Sequence, residues 1–230
     1  MSLFAIADTH LSLGTDKPMD VFRGWSDYVD RLRDNWERLI TPDDTVVIGG
    51  DISWAMKLEE CYEDFAFLNA LPGTKLLLKG NHDYWWQTKK KIDDYLAANH
   101  FDTMHLLFNN AYEVGGVAVC GTRGWYYDKD GEHDEKVINR EVGRLKLSYE
   151  AAQRFGKPIV AFLHYPPVYG GIECEEMMSA LIELGITECY YGHLHGERTH
   201  VNATVGMYKG VDFHLISGDY TRFIPILVRK

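Results

Sequence analysis

Five short apolar runs, each ending in glycine or directly in a side chain able to bind a metal, constrain this 230-residue chain more than any other feature. The runs are Leu3 to Ala7 before Asp8 and His10, Thr45 to Ile48 before Gly49-Gly50-Asp51, and Lys75 to Lys79 before Gly80-Asn81-His82-Asp83. The remaining two are Ile159 to Leu163 before His164 and Cys189 to Tyr191 before Gly192-His193-Leu194-His195. A short apolar run bounded by glycine and polar residues reads as a buried strand, and ligands at carboxyl ends of strands sit where open sheets bind small molecules. The chain is thus expected to deliver seven ligands, Asp8, His10, Asp51, Asn81, His164, His193 and His195, to one edge of a sheet assembly.

Helical periods fill the spaces between these strands. Trp25, Tyr28, Val29, Leu32, Trp36, Leu39 and Ile40 step by threes and fours, as do Leu58, Cys61, Tyr62, Phe65 and Leu68, and Pro42 and Pro72 stop the two stripes. Further helices are expected over Lys89 to Ala98 and from about Glu135 to Phe155. Short β-like segments at His105 to Phe108, Ala111 to Val114 and Val117 to Cys120 are broken by Asn109-Asn110 and Gly115-Gly116 and read as hairpins. Strand-like runs return at Val211 to Ile216 and Phe223 to Val228. Alternating strands and helices followed by hairpins predict a layered α/β (α+β) sandwich with mixed sheets, and with no linker or repeat the expectation is one domain over residues 1–230.

Composition narrows the partners. Lysine and arginine (24) against aspartate and glutamate (34) leave a formal charge of −10, which repels a phosphate backbone and argues against broad nonspecific nucleic-acid or anionic-membrane binding. Lys89-Lys90-Lys91 reads as a solvated helix face. No apolar stretch approaches the roughly 20 residues of a membrane span, and the first strand leads directly into Asp8 with no room for a leader. Four cysteines without CxxC spacing read as reduced and buried. A soluble cytoplasmic protein is expected; oligomeric state is not encoded in these patterns.

Carboxylate, imidazole and amide oxygen suit manganese, iron, zinc or cobalt, and seven ligands are too many for one tetrahedral ion. Two ions sharing a bridging carboxylate would use them all, and paired metals roughly 3.5–4 Å apart are a recurrent device for displacement at phosphorus. Hydrolysis of phosphoesters by a water or hydroxide activated at such a dinuclear centre is the chemistry this donor set favours.

In order, Asp8-Thr9-His10, Gly50-Asp51, Gly80-Asn81-His82-Asp83, His164 and Gly192-His193-Leu194-His195 resemble the five blocks of the calcineurin-like metallophosphoesterase family. The resemblance implies a four-layer αββα sandwich in which Asp8, His10 and His195 bind one metal, Asn81, His164 and His193 the other, and Asp51 bridges them. It also places His82 beside the phosphate, where an imidazole contacts the transition state or protonates the leaving oxygen. The sequence departs from the family in one respect: many members carry an acidic residue three positions after the bridging aspartate, to orient the histidine corresponding to His82, and Trp54 stands there instead. Asp83 is the candidate replacement, and the substitution shifts the expected substrate toward phosphodiesters or activated phosphomonoesters.

Aromatic residues cluster near the blocks. Trp125 and Tyr126 follow Gly121-Thr122-Arg123-Gly124 and are expected to wall a pocket for a nucleotide-like base or another flat leaving group, with Arg123 clamping a phosphate oxygen. His100, His105, His133, His200 and His214 lack ligand-like neighbours and read as ordinary surface or core histidines. The competing functional classes are a protein Ser/Thr phosphatase and a non-catalytic metal-binding scaffold that retains the fold.

Overall fold

The computed structural model describes residues 1–125 and 135–230. Its first half runs β1 (Leu3–Ile6), α1 (Tyr28–Leu39), β2 (Thr45–Ile48), a 3-10 turn, α2 (Tyr62–Ala70), β3 (Thr74–Leu77), α3 (Lys89–Ala98) and β4 (Met104–Leu106). The second half runs β5 (Tyr112–Val114), β6 (Val117–Thr122), α4 (Glu135–Gln153), β7 (Ile159–Leu163), the small hairpin β8 (Val168–Tyr169) and β9 (Ile172–Glu173), then α5 (Glu175–Glu183) and β10 (Glu188–Tyr191). It ends with α6 (Glu197–His200), β11 (Gly206–Tyr208), β12 (Val211–Leu215) and β13 (Ile226–Arg229).

Two sheets result, in the orders β13-β1-β2-β3-β4 and β11-β12-β10-β7-β6-β5. Strands β1 to β4 are mutually parallel, as are β6, β7, β10 and β12; antiparallel neighbours occur only at the edges, through β13, β11 and β5. Both faces of the central strands are covered, which is why β1 and β2 read as unbroken buried runs rather than alternating ones.

Three apolar layers follow. Tyr28, Leu32 and Trp36 of α1 and Phe65 and Leu68 of α2 pack on the outer face of the first sheet with Ile6, Ile48 and Leu77. Ala5, Val47, Leu76, Val119, Val160 and Phe162 fill the space between the sheets. Ile138 and Leu145 of α4 and Met177 and Leu181 of α5 cover the outer face of the second sheet. Helices, sheet, sheet, helices is the αββα order expected from the sequence. Each large side chain so buried contributes about 1.5–3 kcal/mol, and Trp36 also satisfies its indole by donating to the Pro72 carbonyl at 2.9 Å.

Some boundaries shift for local reasons. Trp25 carries the apolar stripe but precedes α1, because Asp27 takes a left-handed conformation (φ 51°) and the helix starts at Tyr28. The last strand begins at Ile226 rather than Phe223, since Arg222 and Phe223 both have positive φ and Phe223 turns back to donate to the Gly218 carbonyl at 2.6 Å. Helix α5 has no counterpart in the sequence reading: over nine residues its stripe is too short to establish a period.

Candidate active site

All five ligand-bearing loops leave the carboxyl ends of parallel strands. Ile6, Ile48 and Leu77 are aligned across β1, β2 and β3, and Tyr191 and Leu163 across β10 and β7, so the loops emerge level with one another. The two sheets are tied at this end by Ala7, which donates to Ile216 O at 2.8 Å and accepts from Gly218 N at 2.9 Å. Backbone bonds then lace loop to loop: Asp8 N donates to Gly50 O, His10 N to Asp51 O and Gly192 N to His164 O. Tyr28, at the start of α1, holds the His10 carbonyl through its hydroxyl at 2.9 Å.

The lacing forces unusual backbone. Asp8, His10, Asp51 and His193 all have positive φ, between 41° and 71°, and each such residue costs about 1–3 kcal/mol that the surrounding structure must offset. Glycine makes the approach possible. A Cβ on Gly80 would overlap the Asp51 carboxylate, and one on Gly50 would lie 2.6 Å from His164 Nδ1.

The seven expected ligands gather into two groups. Ligand atoms of Asp8, His10, Asp51 and His195 lie within 4.8 Å of one another, as do those of Asp51, His164 and His193. Asp51 belongs to both. Asn81 joins the second group, its Oδ1 2.7 Å from His164 Nε2 and 2.9 Å from His193 Nδ1. In the first, His10 Nε2 is 3.0 Å from His195 Nε2 and 3.6 Å from Asp51 Oδ2, while His195 Nε2 is 3.3 Å from Asp8 Oδ1.

Hydrogen bonding and charge fit cations at both places. His164 Nδ1 faces the Gly49 carbonyl at 3.0 Å and must donate to it. Its Nε2 therefore turns a lone pair toward Asn81 Oδ1, itself an acceptor, and a cation between them resolves that opposition. Asp51 Oδ2 is buried with no hydrogen-bond partner. Burial, reinforced by the Asp8 charge, pushes the Asp51 carboxyl well above the usual range. Burial also holds His10, His164 and His193 below their ordinary value, with neighbouring imidazoles adding to the effect, so each is neutral and carries a lone pair to offer. His195 is the exception: burial opposes its charged form, but Asp8 and Asp219 outweigh burial and lift it to about 10. Those two carboxylates draw positive charge to this ring, and a cation held by Asp8 and His195 would answer the same demand.

Asp219 and His200 are site neighbours that the sequence reading missed. Asp219 Oδ1 lies 3.5 Å from His195 Nδ1 and 3.4 Å from His200 Nε2, and its Oδ2 accepts from Gly196 N at 2.7 Å. A carboxylate behind a ligating histidine fixes its ring and tautomer. The only signal in the sequence is Gly218-Asp219 after a strand, the same turn pattern as Gly50-Asp51.

Asp83 requires a correction. Its carboxylate does not face the His82 imidazole: both oxygens are taken by the backbone N–H groups of Gly80, Asp51, Ile52 and Ser53 and by the Trp85 indole, at 2.7–3.4 Å. Five donors leave it no freedom to orient His82. It is instead a buried clasp between the two loops that carry Asp51 and Asn81. His82 is half-buried, its backbone N–H donates to Asp51 Oδ1 at 2.7 Å, and its Nδ1 lies 3.4 Å from the Tyr84 hydroxyl. Trp54 occupies the flank where an acidic residue was expected, 4.6 Å from the His82 ring and stacked on His10 at 4.8 Å.

Arg123 and Trp125 take different places from those anticipated. A cavity of about 580 Å³ opens on His10, His82 and His195, and its walls come from Met19 to Trp25, Trp54 and Gly196 to Arg198. Neither Arg123 nor Trp125 lines it. The Arg123 guanidinium sits over the Trp125 and Tyr165 rings and 3.8 Å from the fully buried Glu141, which Arg144 and Thr122 also engage. Arg123 serves the site through its backbone, whose carbonyl accepts from His164 N and Tyr165 N. Tyr126 lies outside the described residues.

The sequence profile of the calcineurin-like phosphoesterases matches residues 1–197. The chain belongs to that family. Among solved structures, this phosphoesterase is similar to phosphopantetheinyl hydrolase from Mycobacterium tuberculosis, at 15% identity and a TM-score of 0.58 over 99% of this chain and 95% of that one. It also resembles a protein of unknown function from Aquifex aeolicus, at 16% identity and 0.54 over 98% and 95%. Identities this low show a shared fold. Among curated proteins no relative matches the sequence. With the family's fold and two candidate ligand groups sharing Asp51, the phosphoesterase is a metal-dependent phosphoester hydrolase. None of its described helices is long and apolar enough to cross a membrane.

Proposed function

We propose that residues 1–230 act as a single cytoplasmic metallophosphoesterase domain hydrolysing small phosphodiesters or activated phosphomonoesters. In this reading Asp8, His10, Asp51 and His195 hold one cation and Asp51, Asn81, His164 and His193 the second. The observation that carries it is the sharing of Asp51 by two groups of imidazoles and carboxylates, the ligand atoms of each group lying within 4.8 Å of one another. Manganese, iron, zinc and cobalt all suit these donors. Once bound, a pair of such ions lowers the pKa of water and neutralises the phosphoryl oxygens.

The rest falls to the protein. The clasped loops hold the donors in place before substrate arrives. His82 stands at the cavity floor, kept below its ordinary pKa by burial and by the neighbouring His164 and His195 imidazoles, and as a neutral imidazole it donates a hydrogen bond to the ester oxygen that departs. With Asp83 engaged elsewhere, no carboxylate among the described residues hydrogen-bonds the His82 ring, and the Asp8 charge that favours its protonated form is outweighed by burial. That favours leaving groups needing little protonation, hence diesters and activated monoesters. Free, buried cysteines support a reducing compartment.

The test is turnover by the manganese-loaded protein of bis(p-nitrophenyl) phosphate, p-nitrophenyl phosphate, cyclic nucleotides and a phosphoserine peptide. Hydrolysis of the first two well above the peptide is expected. Peptide hydrolysis alone favours a protein phosphatase, and no hydrolysis at all favours a scaffold.

A further inference from the structure

The cavity beside His10, His82 and His195 has a character that the phosphoesterase reading does not require. Its walls are Met19, Phe22 and Trp25, from the segment between β1 and α1, and Trp54, from the loop after β2. Its charged residues besides the histidines are Arg23, Glu197 and Arg198, all exposed, and Arg23 and Glu197 pair at 3.2 Å with both side chains largely in solvent. Trp54 stacks on His10, and Trp25 meets His195 edge-on at 5.6 Å. The aromatic wall is therefore continuous with the floor on which a phosphate would sit.

Volume and chemistry together limit the occupant. About 580 Å³ lies in the range of roughly 300–1,000 Å³ typical of pockets for drug-sized ligands, far more than a phosphate needs. Sugar hydroxyls require paired hydrogen-bonding groups, and away from the exposed Arg23, Glu197 and Arg198 these walls offer thioether and aromatic faces instead. Phe22 keeps 56% of its surface exposed on this wall, an apolar face that a ligand ring would cover. Met19 is the adaptable element that lets such a wall close on rings of different outline.

We infer that the alcohol released by this phosphoesterase carries a flat aromatic ring, seated against Phe22, Trp25 and Trp54 while the phosphate rests beside His82. The inference rests on the proposed hydrolase function but concerns binding, so the two can fail separately. Benzylphosphonate and ethylphosphonate, which cannot be hydrolysed, are titrated calorimetrically into the manganese-loaded protein, and turnover of bis(p-nitrophenyl) phosphate is followed in parallel. The phosphonates have no leaving group, so a preference between them reports the pocket rather than reactivity.

Benzylphosphonate should bind at least about 10-fold more tightly, the scale on which an apolar pocket discriminates. Phe22→Ser should reduce that ratio severalfold, with Met19→Ser as a second variant and ethylphosphonate affinity showing that each has folded. Equal affinities for the two phosphonates, a ratio unmoved by both variants, or no binding of either ligand overturns the inference. A benzyl preference without hydrolysis of bis(p-nitrophenyl) phosphate leaves the pocket standing and removes the hydrolase reading.

Discussion

Trp54 stacks on His10 with ring centroids 4.8 Å apart and planes inclined by 21°. The indole also lies 4.6 Å from the His82 ring, so one side chain braces a candidate ligand and the candidate proton donor together. We propose that this aromatic face does the steadying for which the family resemblance implies a carboxylate. Aromatic pairs contribute about 0.5–1.5 kcal/mol beyond area burial. Trp54→Ala should therefore lower kcat/KM by about 10-fold, with Trp54→Phe within about 3-fold of the parent. Steady-state kinetics on an aryl phosphodiester decide the matter; an alanine variant as active as the parent removes the bracing role.

His82 touches no candidate ligand through its ring nitrogens, and its link to the site is the backbone N–H bound to Asp51. His82→Ala should keep that bond and keep the metal content, yet lose about 10²–10⁴ in kcat. Metal analysis beside kinetics separates the two effects. Loss of metal together with activity would mean that the imidazole is structural.

Asp219 should act on affinity rather than on chemistry. Replacing it with asparagine removes the carboxylate beside His195 Nδ1 that orients the ring and strengthens its other nitrogen as a ligand. Metal affinity should fall by about 10–100-fold, measured by competition with a chromogenic chelator. Saturating metal should restore most of the turnover, whereas unaltered affinity would show that His195 needs no support.

The legible part of this molecule was the part written locally. Asp8, Asp51, Asn81, His164 and His193 each follow a buried strand within a few residues, so the strand that places them also announces them. The cavity wall is different. Met19 and Phe22 lie in a segment without helical or strand period, Trp25 reads as the start of a helical stripe, and only the fold brings the three to His10. Asp219 works through His195, and Arg123 is turned aside by Glu141 on α4; both relations are tertiary and leave no spacing to read. Asp83 misled because it adjoins His82 in sequence, while its carboxylate answers to backbone donors of another loop.

Lys75 offers a test of the core away from the site. It is fully buried in β3, where Nζ donates to the Leu71 carbonyl and, at 3.2 Å, to the Thr103 hydroxyl. Burial lowers its pKa from 10.5 to about 8. Below pH 8 both folded and unfolded chains carry the charge, and folding bears its desolvation. Between about 8 and 10.5 the unfolded chain binds a proton that the folded one has released, so this group makes stability rise with pH, by up to about 3 kcal/mol. Urea unfolding of the parent and Lys75→Met should diverge across that window, the difference cancelling contributions from tyrosines and cysteines. Parallel pH profiles would contradict it.

The sharing of Asp51 is most directly tested by anomalous diffraction from crystals of the protein loaded with manganese. Two peaks should flank the Asp51 carboxylate, about 3.5–4 Å apart, one beside His10 and His195 and the other beside Asn81, His164 and His193. A single peak, or peaks remote from Asp51, would contradict the account.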